Sequence, residues 1–346
     1  MISIETIIFT KQGRYKMKKL TALLLAAVMT VSVTACAGNS GTTTSGGASS
    51  AASSAAPAAS SEAPAETSTA DADDANMLVG LSVSTLNNPF FVTLKEGAEA
   101  KAAELGVELV VLDANDDSAK QANDIDDLIS RNIAVLIVNP VDSDAVAPSV
   151  EAAMEAGIQV IAVDRMVNGV DVACSIASDN VLGAELATNF LVETAGEGAK
   201  CAELQGVNGA SATVDRGTGF HNIADEKLDV VASQTANFNR AEGLTVMENI
   251  LQANPDITCV FAHNDEMALG AIEALAGKEV IIAGFDATDD AIAAIKDGTL
   301  AATVAQQPDL MGATGVETAV KIINGETVEK SVPVEVRLIT ADNVDE

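Results

Sequence analysis

Short apolar runs recur along the chain after residue 77: Leu78 to Leu81, Val107 to Leu112, Val135 to Val138, Val160 to Val163, Val260 to Ala262 and Val280 to Ala283. Runs of this length without polar alternation are the signature of parallel strands buried on both faces. Between them lie amphipathic stretches such as Ser118 to Arg131 and Asp142 to Ala156. Their apolar residues return every three or four positions, as helices covering a sheet require. The chain therefore reads as a doubly wound α/β protein. It also carries an internal echo. Leu136-Ile137-Val138-Asn139, a helix and Ile161-Ala162-Val163-Asp164 match Val260-Phe261-Ala262-His263-Asn264, a helix and Ala283-Gly284-Phe285-Asp286. Each half ends one strand on an Asn and the next on an Asp. Side chains at the carboxyl ends of parallel strands face a ligand crevice, so the echo predicts two similar Rossmann-like lobes facing each other.

The junction Val83-Ser84-Thr85-Leu86-Asn87-Asn88-Pro89-Phe90-Phe91 follows the first run. Asn88 suits a helix N-cap and Pro89 the first helical position, where a missing N–H is harmless. The helix is expected over Pro89 to Leu105. Phe90 and Phe91 have two readings at this point: ordinary core residues of that helix, or ring faces for a small polyhydroxylated ligand.

The leader has a different character. Met17-Lys18-Lys19, the apolar run Leu20 to Val33 and Val33-Thr34-Ala35-Cys36 have the layout of a secretory signal. The apolar run is too short to span a bilayer of about 30 Å. A cysteine directly after Val-Thr-Ala resembles the bacterial lipobox, so residues 17–36 are expected to be a lipoprotein signal with Cys36 as the lipidated residue. An ordinary cleaved signal is the alternative. Residues 1–16 fit no part of this layout and read as an upstream extension, with Met17 as the start. Residues 37–76 are Ser, Ala, Gly, Thr and Pro with scattered acids, a composition expected to form a flexible tether. The protein is thus expected outside the cytoplasmic membrane, anchored at its outer face.

Charge excludes a class of partner. The chain has 19 Lys plus Arg against 50 Asp plus Glu, a net charge of −31, and no basic stripe, which argues against nucleic acid. Cys174, Cys201 and Cys259 sit in apolar runs at spacings unlike zinc or redox motifs and read as buried thiols. His221 and His263 are the only histidines, too few for most metal sites or a Ser-His-Asp triad, and each reads as a surface or rim residue. No glycine run matches a dinucleotide or phosphate loop, and Gly209-Ala210-Ser211-Ala212-Thr213 is not a nucleophile elbow. Asp164 and Asp286 could form a glycosidase pair, but Arg165 directly follows Asp164 and ligand hydrogen bonding is the better reading. No catalytic residue, metal or cofactor is expected, and the chain is not read as an enzyme.

Taken together, Leu81 to Phe91, Asn139 to Val146, Val163-Asp164-Arg165, Ile176 to Gly183, Asn264 to Ala271, Gly284-Phe285-Asp286 and Ala305-Gln306 resemble the bacterial ribose-binding proteins. That family holds the extracytoplasmic sugar receptors of ABC-type importers. The resemblance runs from Met77 to about Thr340. It implies the type I periplasmic binding protein fold: an N-terminal lobe of residues 77–178 plus 307–335, a C-terminal lobe of 179–306 plus 336–346, and three crossing segments. It implies a monomer that closes on its ligand in the interlobe cleft. Carried over by position, the ligand-binding set is Ser84, Asn88, Phe90, Phe91, Asn139, Asp164 and Arg165 from the first lobe. From the second it is Arg216, Phe238, Asn264, Asp286 and, at a crossing, Gln306. Phe90 and Phe238 would cover opposite ring faces, with Phe91 closing an edge. The aspartates and arginines would bond hydroxyls and the ring oxygen. His263 before Asn264 and Ala287 after Asp286 depart from the commonest family pattern, which bears on affinity more than on ligand class.

There is no tryptophan, and the only tyrosine is Tyr15. An all-phenylalanine clamp fits a pentose better than the broader tryptophan wall of glucose and galactose receptors in this family. D-ribose is therefore the expected ligand and a membrane permease of an ABC importer the expected partner. Another monosaccharide (allose, galactose or xylose), or a chemoreceptor or sensor as partner, are the alternatives.

Overall fold

The computed structural model describes residues 78–345. The leader, Cys36 and the tether expected from the sequence lie outside the described residues. The chain forms β1 (Leu78–Val83), α1 (Pro89–Leu105), β2 (Glu108–Asp113), α2 (Ser118–Ser130), β3 (Val135–Val138), α3 (Ala147–Glu155), β4 (Gln159–Val163) and β5 (Cys174–Ser178). It continues with α4 (Asn180–Ala195), β6 (Lys200–Gln205), α5 (Ser211–Lys227), β7 (Asp229–Thr235), α6 (Arg240–Ala253), β8 (Cys259–Ala262), α7 (Asp265–Ala274) and β9 (Ile281–Ala283). Last come α8 (Asp289–Lys296), β10 (Ala302–Ala305), α9 (Pro308–Ile323), β11 (Ser331–Val334) and β12 (Arg337–Thr340).

The strands make two six-stranded sheets, ordered β11-β5-β4-β3-β1-β2 and β12-β10-β9-β8-β6-β7. Every pairing is parallel except β10 with β12. These are the two doubly wound α/β lobes of the type I periplasmic binding protein fold. The chain passes between the sheets three times, at Asp179, at Gln306-Gln307 and at Glu335-Val336.

The unbroken apolar runs are the central strands, as burial on both faces demands. In β3, Val135 and Ile137 enter one core and Leu136 and Val138 another. In β8, Val260 and Ala262 face one core while Cys259 and Phe261 face the other. Full burial of each large apolar side chain is worth roughly 1.5–3 kcal/mol. Cys174, Cys201 and Cys259 are free, buried thiols on these strands.

The first helix runs over Pro89–Leu105 as expected, with the Asn88 side chain accepting from Phe90 N at 2.9 Å and Gly106 closing it in the left-handed region. The segment expected to be helical from Asp142 differs: α3 begins only at Ala147. Asp142 Oδ1 accepts from the amides of Asp144 and Ala145 at 2.9 and 2.8 Å, which holds a turn in place of the first helical turn. Pro148 then sits at the start of the shortened helix, where proline is tolerated.

Helix α9 returns from the second sheet to pack on α1, and two glycines set the spacing. A Cβ at Gly312 would overlap the Leu94 carbonyl, and one at Gly97 would overlap the Asp309 backbone. Backbone, unlike a flexible side chain, cannot swing away. Gly312→Ala should therefore destabilise the protein by about 1–3 kcal/mol by forcing the helices apart. Urea unfolding monitored by circular dichroism measures this, and an unchanged midpoint would contradict it.

Candidate functional site

The carboxyl ends of both sheets converge on one cleft. It is lined by Asn88, Phe90, Phe91, Asp164, Arg165, Ala212, Arg216, Phe238, Asn264, Asp286 and Gln306. At most about 240 Å³ of space, open solvent included, lies between these side chains.

The first-lobe wall is organised by Asn139, just past β3. Its Oδ1 accepts from Ser84 N at 3.0 Å, and its Nδ2 donates to Asp164 Oδ2 at 3.0 Å and Val163 O at 3.3 Å. Behind it the buried Gln121 of α2 donates to Asn139 O at 2.9 Å and accepts from Val141 N at 2.8 Å. Arg165 is fixed by donation from Nη1 to Pro140 O at 2.8 Å. Its guanidinium lies over the Phe91 ring at 5.2 Å and the Phe238 ring at 5.4 Å. Phe90 and Phe91 meet edge to face with centroids 5.1 Å apart. Both belong to the buried core of the first lobe and both line the cleft.

In the second lobe, Arg216 of α5 donates from Nε to Asn180 Oδ1 at 2.8 Å and from Nη1 to His263 O at 2.5 Å. Its guanidinium rests 3.8 Å from the Phe285 ring centroid. Gln306, on the second crossing, donates to Asp286 Oδ1 at 2.7 Å. Asn264 caps α7 by accepting from Met267 N at 3.0 Å, and its Nδ2 donates to Phe238 O at 3.3 Å.

Three cleft residues hold backbone angles that L side chains avoid: Asp164 (φ 63°), Phe238 (φ 56°) and Asp286 (φ 124°). Such strain persists only where the surroundings fix it, and it clusters at functional sites. Here the amide of Asp164 is held by Ile176 O at 2.8 Å and that of Asp286 by Val304 O at 2.8 Å.

The electrostatics balance. Asp164 lies 3.6 Å from Arg165 Nε and Asp286 lies 3.7 Å from Arg216 Nη1. Burial pushes both carboxyls above the usual carboxylate range, Asp286 strongly, while the guanidiniums pull them back. Burial likewise lowers both arginines, which the aspartates oppose. Both pairs are longer than a hydrogen bond, so each keeps bonding capacity for a third group. Arg165 Nε and Gln306 Oε1 are buried without a hydrogen-bond partner. Two carboxyls and two guanidiniums with spare donors and acceptors suit an uncharged polyol.

Ten of the twelve residues expected from the sequence line this cleft. Ser84 and Asn139 stand one layer behind, where Asn139 orients Asp164. The sequence reading missed Ala212, which reaches the cleft from the first turn of α5, and the supports Gln121 and Asn180. Their amides look like any polar helix residue until burial is known. Among the described residues no group of three or more His, Cys, Asp or Glu could hold a metal ion, and no helix is long and apolar enough to cross a membrane.

The profile of the periplasmic binding protein domain matches residues 79–327. The ribose import binding protein of Bacillus subtilis is 52% identical over 264 residues, covering 76% of this chain and 87% of that protein. The ribose import binding protein of Escherichia coli K12 is 51% identical over 265 residues, covering 75% and 90%. Among solved structures, an ABC transporter solute-binding protein of Bacillus halodurans with bound myo-inositol superposes with a TM-score of 0.76. It is 36% identical, covering 79% of this chain and 98% of that one.

Behind Arg216 lies a second polar cluster. Glu203, fully buried in β6, accepts from Gln205 Nε2 at 2.9 Å and lies 2.9 Å from His263 Nε2. His263 is not at the rim expected from the sequence but fully buried, because Glu203 supplies a partner in the core. Burial lowers its pKa despite Glu203. His221 stands partly exposed, with Nε2 3.4 Å from Glu203 and Nδ1 2.7 Å from Asp225. Partial burial disfavours its charged form, but the bond to Asp225 and the charge of Glu203 outweigh that and raise its pKa. A histidine raised on folding adds stability that is full below the ordinary value of about 6.5 and is lost as pH rises through its folded value. The stability difference between the parent protein and His221→Gln should therefore be larger at about pH 5.5 than at about pH 8.5. Urea titrations at both pH values read it directly, and a pH-independent difference would contradict it.

Proposed function

The chain belongs to the periplasmic binding protein family, and from that premise we propose that it captures D-ribose in the interlobe cleft and delivers it to the permease of an ABC-type importer. It is a binding protein, not an enzyme. The observation that carries the sugar reading is the pairing of Asp164–Arg165 and Asp286–Arg216 across a cleft walled by Phe90, Phe91 and Phe238. Carboxylates accept from hydroxyls, guanidiniums donate to hydroxyl and ring oxygens, and the phenyl faces cover the C–H faces of the ring. The lobes are residues 77–178 plus 307–335 and 179–306 plus 336–346. A ligand touching both stabilises only the closed arrangement, so the permease distinguishes loaded from empty receptor. Direct ligand contacts are assigned to Asn88, Phe90, Phe91, Asp164, Arg165, Arg216, Phe238, Asn264, Asp286 and Gln306, with Ser84 and Asn139 shaping the wall behind them.

A dry site of this kind is selective because a sugar with one inverted hydroxyl leaves a buried polar group unpaired, at about 1–3 kcal/mol or roughly tenfold to hundredfold in affinity. Calorimetric titration with ribose, arabinose, xylose, allose, glucose and galactose tests the assignment, and tighter binding of any competitor overturns it. Phe238→Ala should weaken ribose binding about tenfold or more by opening one ring face. Arg165→Lys should weaken it as well, because a point-charge ammonium cannot reproduce the planar fork. A second reading, a six-carbon polyol, is favoured by the likeness to a protein with bound myo-inositol, so myo-inositol belongs in the same titration.

We further propose that the protein is lipid-anchored through Cys36 at the outer face of the cytoplasmic membrane, with residues 37–76 as tether. One acyl chain binds membranes marginally, so a stable anchor requires two. Cys36→Ser should release the protein from the membrane fraction or block its processing. An unmodified Cys36 in the intact mass of the membrane-associated protein would rule the anchor out.

A further inference from the structure

Beside the cleft the two lobes touch directly, through the turn after β3 and the loop between β6 and α5. Ser143 N donates to Gly209 O at 2.9 Å, Ser211 N donates to Ser143 Oγ at 3.1 Å, and Met166 N donates to Ser211 Oγ at 2.8 Å. Gly209 has φ +89°, a conformation that favours glycine, and a Cβ there would meet the Asp142 carboxylate of the opposite lobe. Ser143 is fully buried by this contact.

The start of α5 gives the contact its meaning. Six helices, α1, α2, α4, α6, α7 and α8, carry a capping side chain of their own, and α3 and α9 have a proline in the first turn. Helix α5 has neither, because its N-cap is Ala210, which has no side-chain oxygen to offer. The first amide of α5, that of Ser211, is met instead by Ser143 from the opposite lobe. The same helix presents Ala212 and Arg216 to the cleft.

We propose that Ser143 of the first lobe caps helix α5 of the second, so that closing the lobes completes the helix that positions Arg216. In the open state this cap is absent and Ser211 turns to water. In the closed state the orphan amide is satisfied, and Ser143 favours closure whether or not a ligand is present. Ser143 is thus a positioning residue for ligand capture, and this inference rests on the cleft being the ligand site. A helix cap supports a shift of about 3- to 10-fold in the closed-to-open ratio, and the apparent affinity falls by the same factor when that ratio falls.

Two variants of the full-length chain test this. Ser143→Ala should speed amide hydrogen exchange of Ser211 in the D-ribose-saturated protein and weaken D-ribose binding, each by about 3- to 10-fold. Ser143→Ala combined with Ala210→Ser gives α5 a cap of its own in both states. It should slow exchange of residues 212 and 213, the amides that an N-cap side chain reaches, and leave ribose binding weak. Unchanged exchange in Ser143→Ala overturns the proposal, and so does recovery of full ribose affinity in the double variant, since that would make the cap local to the helix and independent of closure. If D-ribose binds neither the parent protein nor the variants, the sugar assignment falls, and the same exchange measurement with whichever titrated sugar does bind decides the cap.

Discussion

Everything in the cleft depends on burying two carboxyl groups beside two guanidiniums. Asp164 and Asp286 sit at equivalent ends of strands in the two lobes, both at positive φ and both pushed up by burial. A lone carboxylate in such a place would take up a proton. Arg165 and Arg216 oppose this, yet neither makes a close two-pronged bond with its aspartate. Each guanidinium is tied to backbone carbonyls or an amide instead, Arg165 to Pro140 and Arg216 to His263 and Asn180. Charge is thereby neutralised across the site while hydrogen-bonding capacity is left over for a ligand. Asn139 and Gln121 in the layer behind Asp164, and Gln306 beside Asp286 in the cleft wall, serve that balance.

Much of this arrangement was legible in the sequence. Buried parallel strands announce themselves as unbroken apolar runs, and Asn88-Pro89 states where α1 begins in the chemistry of a cap. The Asn-then-Asp echo pointed to the strand ends that meet in the cleft. Ribose itself and most of the individual roles came from resemblance to a family, and spacing alone would have left Phe90 and Phe91 as core residues. The start of α3 was misplaced because Asp142 is as compatible with a helix start as with the turn it forms. The choice depends on where Ser143 goes, and its partner Gly209 is 66 positions along the chain. His263 was placed at the rim because an isolated histidine belongs there. Its burial follows from Glu203 on the neighbouring strand, a pairing visible only once β6 lies beside β8.

The two sheets are alike without being copies. The first is parallel throughout, whereas the second ends in β12, antiparallel to β10. The difference lies in the edge strands that the last crossing contributes. The central strands β3 and β8 keep their common pattern of two cores served by alternate residues. The lobes can therefore present matched Asp side chains from opposite walls while differing at their margins.

The order in which the sheets are completed constrains how such a molecule comes into being. The first sheet lacks its edge strand until Val334 has been made, and α9, which covers α1, is encoded after the whole body of the second lobe. The second sheet closes later still, with Thr340. On a ribosome the first sheet would wait, with β5 unpaired on one side and the apolar face of α1 uncovered, until α9 and β11 had emerged. Domains usually fold in turn as they are synthesised. Here the threading makes completion of the first lobe follow synthesis of the body of the second.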